Sequence, residues 1–161
     1  MNGVLKLNIS KTDFVCCPTR RRQNQLIKDH VTFAGSNIQP SSTVRDLGVL
    51  LDSELSFGPH ISQLINRCFL QLRSIKSCVH ALPVDAAKAV VNSFVISRVD
   101  YCNSLLAGAS RYQLDRLLSV LNMVTRLLVG AKKHDSIGHV LRDRLHWFPV
   151  QQRVQVVSAD I

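Results

Sequence analysis

The chain has no long apolar run: its uninterrupted hydrophobic stretches extend over only a few residues, against the roughly 18 that a membrane-spanning helix needs. A transmembrane helix is therefore not expected. Lys6 and Asn8 interrupt residues 1–11, so the amino terminus lacks the apolar centre of a secretory signal, and an intracellular location is expected, cytoplasm or nucleus left open. Cys16, Cys17, Cys68, Cys78 and Cys102 contain no Cys-x-x-Cys pair, and an odd count fits reduced thiols better than a disulfide framework. Most of them read as small buried apolar residues. Internal repeats, low-complexity segments and stretches polar enough to be disordered are all missing. Acidic residues are scarce, 11 against 20 Lys plus Arg for a net charge of +9. That balance favours polyanionic partners, nucleic acid or an acidic membrane surface. The densest basic knots, Arg20-Arg21-Arg22 and Lys132-Lys133, are short, and such knots are usually solvated surface.

With 46% apolar and 19% charged residues in 161, the chain can bury one core, whereas two full domains would be a tight fit. Its hydrophobic period changes near residue 58. Before that point strands are expected at Phe14-Val15-Cys16-Cys17, which Pro18 ends, at Val31-Thr32-Phe33 before the turn-rich Ala34-Gly35-Ser36-Asn37, and at Val44 to Leu51. Connections this short suit antiparallel hairpins. After it, Pro59 opens a helix whose Ile61, Ile65, Cys68, Phe69, Leu72, Ile75 and Val79 share one face, with Arg67 and Arg73 off that stripe. A second helix is expected from a cap near Asp85 through Ala86, Val90 and Phe94 to Tyr101, with Gly108 as its stop. The third opens at Ser110, where Gln113 gives capping-box spacing, carries Leu114, Leu117, Leu118, Leu121 and Leu128 on one stripe, and ends at Gly130 with Arg116 and Arg126 pointing elsewhere. A shorter helix is expected from Asp135-Ser136 through Ile137, Val140 and Leu141 until Trp147-Phe148-Pro149, and another begins at Gln151. The expected fold is α+β: short antiparallel hairpins over 1–57, then a mainly helical bundle over 58–161.

The order of these segments resembles the part of LINE-type, non-LTR retrotransposon reverse transcriptases that follows the active site. Leu5-Lys6-Leu7-Asn8-Ile9-Ser10-Lys11-Thr12-Asp13-Phe14 is similar to the family's L-x-L-N-P-x-K-T-E segment, with Ile9 where proline is usual. Ser42-Thr43-Val44-Arg45-Asp46-Leu47-Gly48-Val49-Leu50-Leu51-Asp52, followed by Leu55-Ser56-Phe57 and His60-Ile61, resembles the hairpin that grips the primer end and is the most specific stretch. Ser97-Arg98-Val99-Asp100-Tyr101-Cys102-Asn103-Ser104-Leu105-Leu106 and Leu145-His146-Trp147-Phe148-Pro149-Val150 resemble segments of the helical thumb region, with Phe148 where leucine is usual. The resemblance implies palm-end strands and a primer-gripping hairpin over 1–57 and a thumb-like region, truncated at its end, over 58–161.

The family's polymerases hold two divalent ions about 4 Å apart on acidic side chains, and the resemblance puts those acids upstream of residue 5. No Asp-Asp pair occurs in the chain, and Asp13, Asp29, Asp46 and Asp52 are isolated. No catalytic residue, metal site or cofactor is therefore expected; Mg²⁺ belongs to the parent family only. Lys11 matches a family lysine placed near the leaving phosphate, where an ammonium donates a proton or neutralises charge, but that role needs the absent palm half. Otherwise Lys11 is a solvated strand-entrance lysine. Leu47, Gly48 and Val49 are candidate primer contacts, because a glycine inside a strand marks a bulge or a close backbone approach. Arg67, Arg73, Arg116 and Arg126 are candidate phosphate contacts, or ordinary solubilising residues. Zinc is poorly supported, since His134 and His139 have a usable spacing but no close cysteine pair, and His146 adds none. The expected function is an inactive fragment of an RNA-directed DNA polymerase with at most residual template-primer binding, no membrane partner, no small-molecule substrate and an undetermined oligomeric state. A repurposed basic helical domain for nucleic acid or protein, and a translated remnant, stay open beside it. A start just past the family's catalytic turn and an end inside a helix fit truncation.

Overall fold

The computed structural model describes Asn8, residues 11–18, 30–33, 35–132 and 134–138, and Gln152. The fold is α+β, and the chain divides into two compact units, Met1–Phe57 and Gly58–Ile161.

In the first unit, β1 (Val31–Phe33) pairs antiparallel with β2 (Ser36–Ile38), Thr32 lying opposite Asn37. The Thr32 hydroxyl donates to Asn37 Oδ1 at 2.8 Å. Ser36 and Asn37 thus belong to the second strand, not to the turn, and the connection tightens around Gly35 at φ +78°. A second antiparallel hairpin joins β3 (Thr43–Asp46) to β4 (Val49–Asp52), with Asp46 opposite Val49. The run Val44 to Leu51 is therefore two strands, and Gly48 is a turn residue, not an interior one. Leu47 and Gly48 both take positive φ, 45° and 89°. Two central residues with positive φ match the twist of the flanking strands. Glycine accepts that geometry freely; leucine does so at a steric cost of about 1–2 kcal/mol.

Phe14 to Cys17 forms no strand. Phe14 makes a single parallel bridge to Pro40, and its carbonyl accepts the Ser41 N–H at 2.7 Å. Proline carries no N–H, so the ladder lacks a donor at the position where it would extend. Beyond β4 the Asp52 carboxylate organises the chain. Oδ1 accepts the Glu54 and Ser56 amides, both at 3.1 Å, while Oδ2 accepts the Phe57 amide at 2.9 Å and the Ser56 hydroxyl at 3.2 Å. Leu55 and Phe57 in this loop also have positive φ, 52° and 56°.

The second unit is helical. Helix α1 (Gly58–Val79) buries Ile61, Leu64, Ile65, Cys68, Leu72, Ile75 and Val79. The expected stripe is present with one exchange: Leu64 is covered, and Phe69 is only half-buried. Helix α2 (Val84–Val91) widens into a π-helical turn over Asn92–Ile96 and ends as α3 (Ser97–Asp100). Pro83 stands at the cap position without a side-chain bond, so Asp85 is a first-turn residue whose charge faces the positive end of the helix. The covered line is Ala87, Val91, Val95 and Val99, one residue on from Ala86, Val90 and Phe94. Both lines have i, i+4 spacing, so period alone does not choose between them, and Phe94 and Tyr101 are left exposed. After Cys102 at φ 55°, a 3-10 turn over Asn103–Gly108 closes the segment, which makes Gly108 the end of that turn and not of the helix.

Helix α4 (Arg111–Val129) has the expected capping box: Ser110 Oγ accepts the Gln113 amide at 3.4 Å, and Gln113 Oε1 accepts the Ser110 amide at 3.1 Å. Gly130 at φ 66° terminates it. Its core side is Leu117, Val120, Leu121, Val124 and Thr125, the last donating to the Leu121 carbonyl at 2.9 Å; Leu114, Leu118 and Leu128 are half-buried. Helices α1 and α4 pack together as the main seam of the unit. Beyond them Asp135 Oδ2 accepts the Lys132 amide at 2.7 Å, and Ile137 is buried. The expected continuation through Val140 and Leu141, the Trp147-Phe148-Pro149 break, the last helix apart from Gln152, and Arg20-Arg21-Arg22 lie outside the described residues.

Candidate nucleic-acid interface

The β3–β4 turn presents the first candidate group. Leu47 is 81% exposed and Gly48 is exposed, whereas Val49 is buried. The hairpin explains the split: Leu47 and Gly48 are the turn residues at its tip, whereas Val49 is the first residue of β4. Any ligand at this tip meets Leu47 and the Gly48 backbone, and Val49 acts only by holding the strand. In the same unit Lys11 is exposed; its amide donates to the Asn8 carbonyl at 3.0 Å, as does the Thr12 hydroxyl. That places its ammonium at the surface on a short turn, not in a strand.

The four arginines occupy three different settings. Arg67 and Arg73 are exposed on α1, but a separation of six residues sets them about 120° apart around the helix. Arg116 is half-buried and engaged: Nη1 donates to Ser62 Oγ at 3.1 Å, and its guanidinium lies 5.7 Å from the centre of the Tyr112 ring. It ties the start of α4 to the start of α1. Arg126 is also half-buried, and its Nε–H is buried without a hydrogen bond among the described residues. Lying off an apolar stripe therefore means different things here. Arg116 and Arg126 flank the stripe, and packing against α1 covers part of each.

Because the starts of α1 and α4 are joined through Ser62 and Arg116, the two helices run in the same sense and their later halves also meet. There they enclose a cleft of about 660 Å³. Arg73 and Lys76 line it from α1, His80 from the turn just after α1 and Arg126 from α4, with Phe69, Leu72, Met123 and Leu127 as its apolar lining. The structure thus brings Arg73 and Arg126 together and leaves Arg67 and Arg116 elsewhere. Lys76 stands three residues after Arg73, a spacing that puts both on one side of α1, and His80 follows just past the helix end. The Arg73–Lys76 spacing is legible in the sequence, but nothing local distinguishes it from an ordinary solvated basic pair.

Burial pushes the Cys68 thiol up from 9.0 to about 11, with Arg98 opposing the shift in part. A thiol held protonated is a poor nucleophile. Among the described residues no three His, Cys, Asp or Glu side chains converge on a possible metal ion, and no helix is long and apolar enough to cross a membrane. His139 and His146 lie outside the described residues. No protein-family model, no curated protein and no solved structure matches this chain.

Proposed function

We propose that the chain is the primer-hairpin and thumb portion of an RNA-directed DNA polymerase of the LINE-type retrotransposon kind, able to hold a template-primer duplex by its phosphates and unable to polymerise alone. The observation that carries this reading is the β3–β4 hairpin. The stretch with the most specific family resemblance, Ser42 to Asp52, forms a hairpin whose tight two-residue turn has Leu47 and the Gly48 backbone at its tip. A backbone glycine at an exposed tip lets a sugar-phosphate chain approach closely. The order of hairpins before helices, the charge of +9 and the exposed Arg67 and Arg73 favour the same reading. With no Asp-Asp pair in the sequence, the family's two-metal chemistry has no ligands in this chain. Lys11 would meet a leaving phosphate only if a palm carrying those acids were supplied.

Titrating a fluorescent RNA/DNA hybrid over a range of salt tests the binding. Affinity should fall log-linearly with salt and vary little with sequence. Affinity weaker than about 100 µM at low salt, or insensitive to salt, would remove the reading. Primer extension with Mg²⁺ or Mn²⁺ should give no incorporation above background, and extension that survives re-purification would overturn the inactive assignment.

A further inference from the structure

The cleft between the later halves of α1 and α4 combines two chemistries that backbone tracking alone does not need. Its lining combines the basic side chains Arg73, Lys76, His80 and Arg126 with apolar ones, Met123 and Leu127 among them. No carboxylate lines it among the described residues. The volume of about 660 Å³ lies within the range of small-ligand pockets. Arg126 contributes a buried Nε–H with no acceptor among the described residues, and a buried guanidinium donor is best satisfied by an anionic oxygen. Met123 is 45% exposed at the wall, a flexible thioether suited to adapt to an apolar guest. A bare phosphate would leave that wall in water, and a neutral hydrocarbon would leave the cations unpaired.

We propose that this cleft binds an amphipathic anion: a hydrocarbon chain or ring body against Met123 and Leu127, ending in a carboxylate or phosphate head held by Arg73, Lys76 and Arg126. The site does not depend on the nucleic-acid reading, although Arg73 and Arg126 are common to both. Isothermal titration calorimetry on the full chain, with dodecyl phosphate, dodecanoate, dodecanol and inorganic phosphate below micellar concentrations, tests it. Saturable one-to-one binding is expected for the two anionic amphiphiles, their ratio showing which head the cations prefer, and none for dodecanol or inorganic phosphate. Met123→Gln, at a half-exposed position whose change should leave the circular dichroism spectrum intact, should weaken dodecyl phosphate about fivefold while leaving hybrid affinity unchanged. Arg73→Gln combined with Lys76→Gln should weaken the amphiphile and the hybrid alike. Equal binding of dodecanol, equal binding of inorganic phosphate, or an unchanged dodecyl phosphate affinity in Met123→Gln would each overturn the site, whatever the hybrid result.

Discussion

Replacing Asp52 with alanine should release the loop that leads from β4 toward Phe57. The carboxylate accepts four hydrogen bonds, three from the Glu54, Ser56 and Phe57 amides and one from the Ser56 hydroxyl. Bonds to a charged acceptor contribute about 1.5–3 kcal/mol each when well buried, but these share one carboxylate and are only part-buried, so they do not add. Against them stands the strain of Leu55 and Phe57, non-glycine residues at φ 52° and 56°, on the order of 1–2 kcal/mol apiece. The bonds must exceed that strain for the loop to hold. Their loss should therefore destabilise the loop by about 2–4 kcal/mol, a local effect of more than tenfold in opening. Asp52→Asn should cost roughly half as much, since one oxygen remains to accept while the new amide NH₂ faces the Glu54 and Ser56 amides in one orientation, or the Phe57 amide and the Ser56 hydroxyl in the other. Amide hydrogen exchange at Glu54, Ser56 and Phe57 reads this directly. Unchanged protection at Ser56 and Phe57 in Asp52→Ala would refute the idea that the carboxylate holds the loop, and equal losses in both variants would refute the division between its two oxygens.

At the hairpin tip, Leu47→Asn should stabilise the turn by about 1 kcal/mol, because asparagine tolerates positive φ better than leucine; slower exchange of the β3–β4 amides would show it, and faster exchange would count against the turn geometry. Cys68 should resist iodoacetamide at pH 8 while exposed Cys17 and Cys78 react, and alkylation of Cys68 at the rate of Cys78 would contradict its burial. Since its folded value is raised from 9.0 to about 11, the native state holds that proton more tightly than the unfolded chain does. Its contribution is present below pH 9 and lost as pH rises to 11, so a decline in melting temperature across that window should be smaller in Cys68→Ala.

Strong, regular signals in the sequence led to the right structure: the 3.6-residue stripe of α1, the Ser110–Gln113 capping box, the Gly130 stop. Each is local, set by residues within a few positions of one another. What was not legible needed information of another kind. The β3–β4 turn was hidden because one of its two positive-φ residues is leucine and the hydrophobic residues continue on either side. The covered line of α2 was displaced by one residue because Ala86-Val90 and Ala87-Val91 have equal spacing, and only packing within the helical unit selects the second. The cleft depends on two helices meeting some fifty residues apart in the chain, so Arg73 and Arg126 could be named separately but not as partners.

The same packing makes the four candidate arginines unequal, and that inequality can be measured. Each phosphate neutralised contributes about 0.9 to the slope of log affinity against log salt on a B-form duplex, and a hybrid should give a similar order. Arg67 and Arg73 are exposed, so Arg67→Gln and Arg73→Gln should each flatten the slope by nearly one if they touch the backbone, with little change in stability. Arg116 already donates to Ser62 and stacks near Tyr112. Arg116→Gln should leave the slope almost untouched and instead destabilise the α1–α4 seam by about 1–2 kcal/mol, from one hydrogen bond of a charged donor and a partly exposed cation–π contact. Urea denaturation of the three variants beside the salt series separates the two roles. A full unit of slope lost in Arg116→Gln with an unchanged denaturation midpoint would mean that this arginine serves the ligand, and the structural part assigned to it would have to be abandoned.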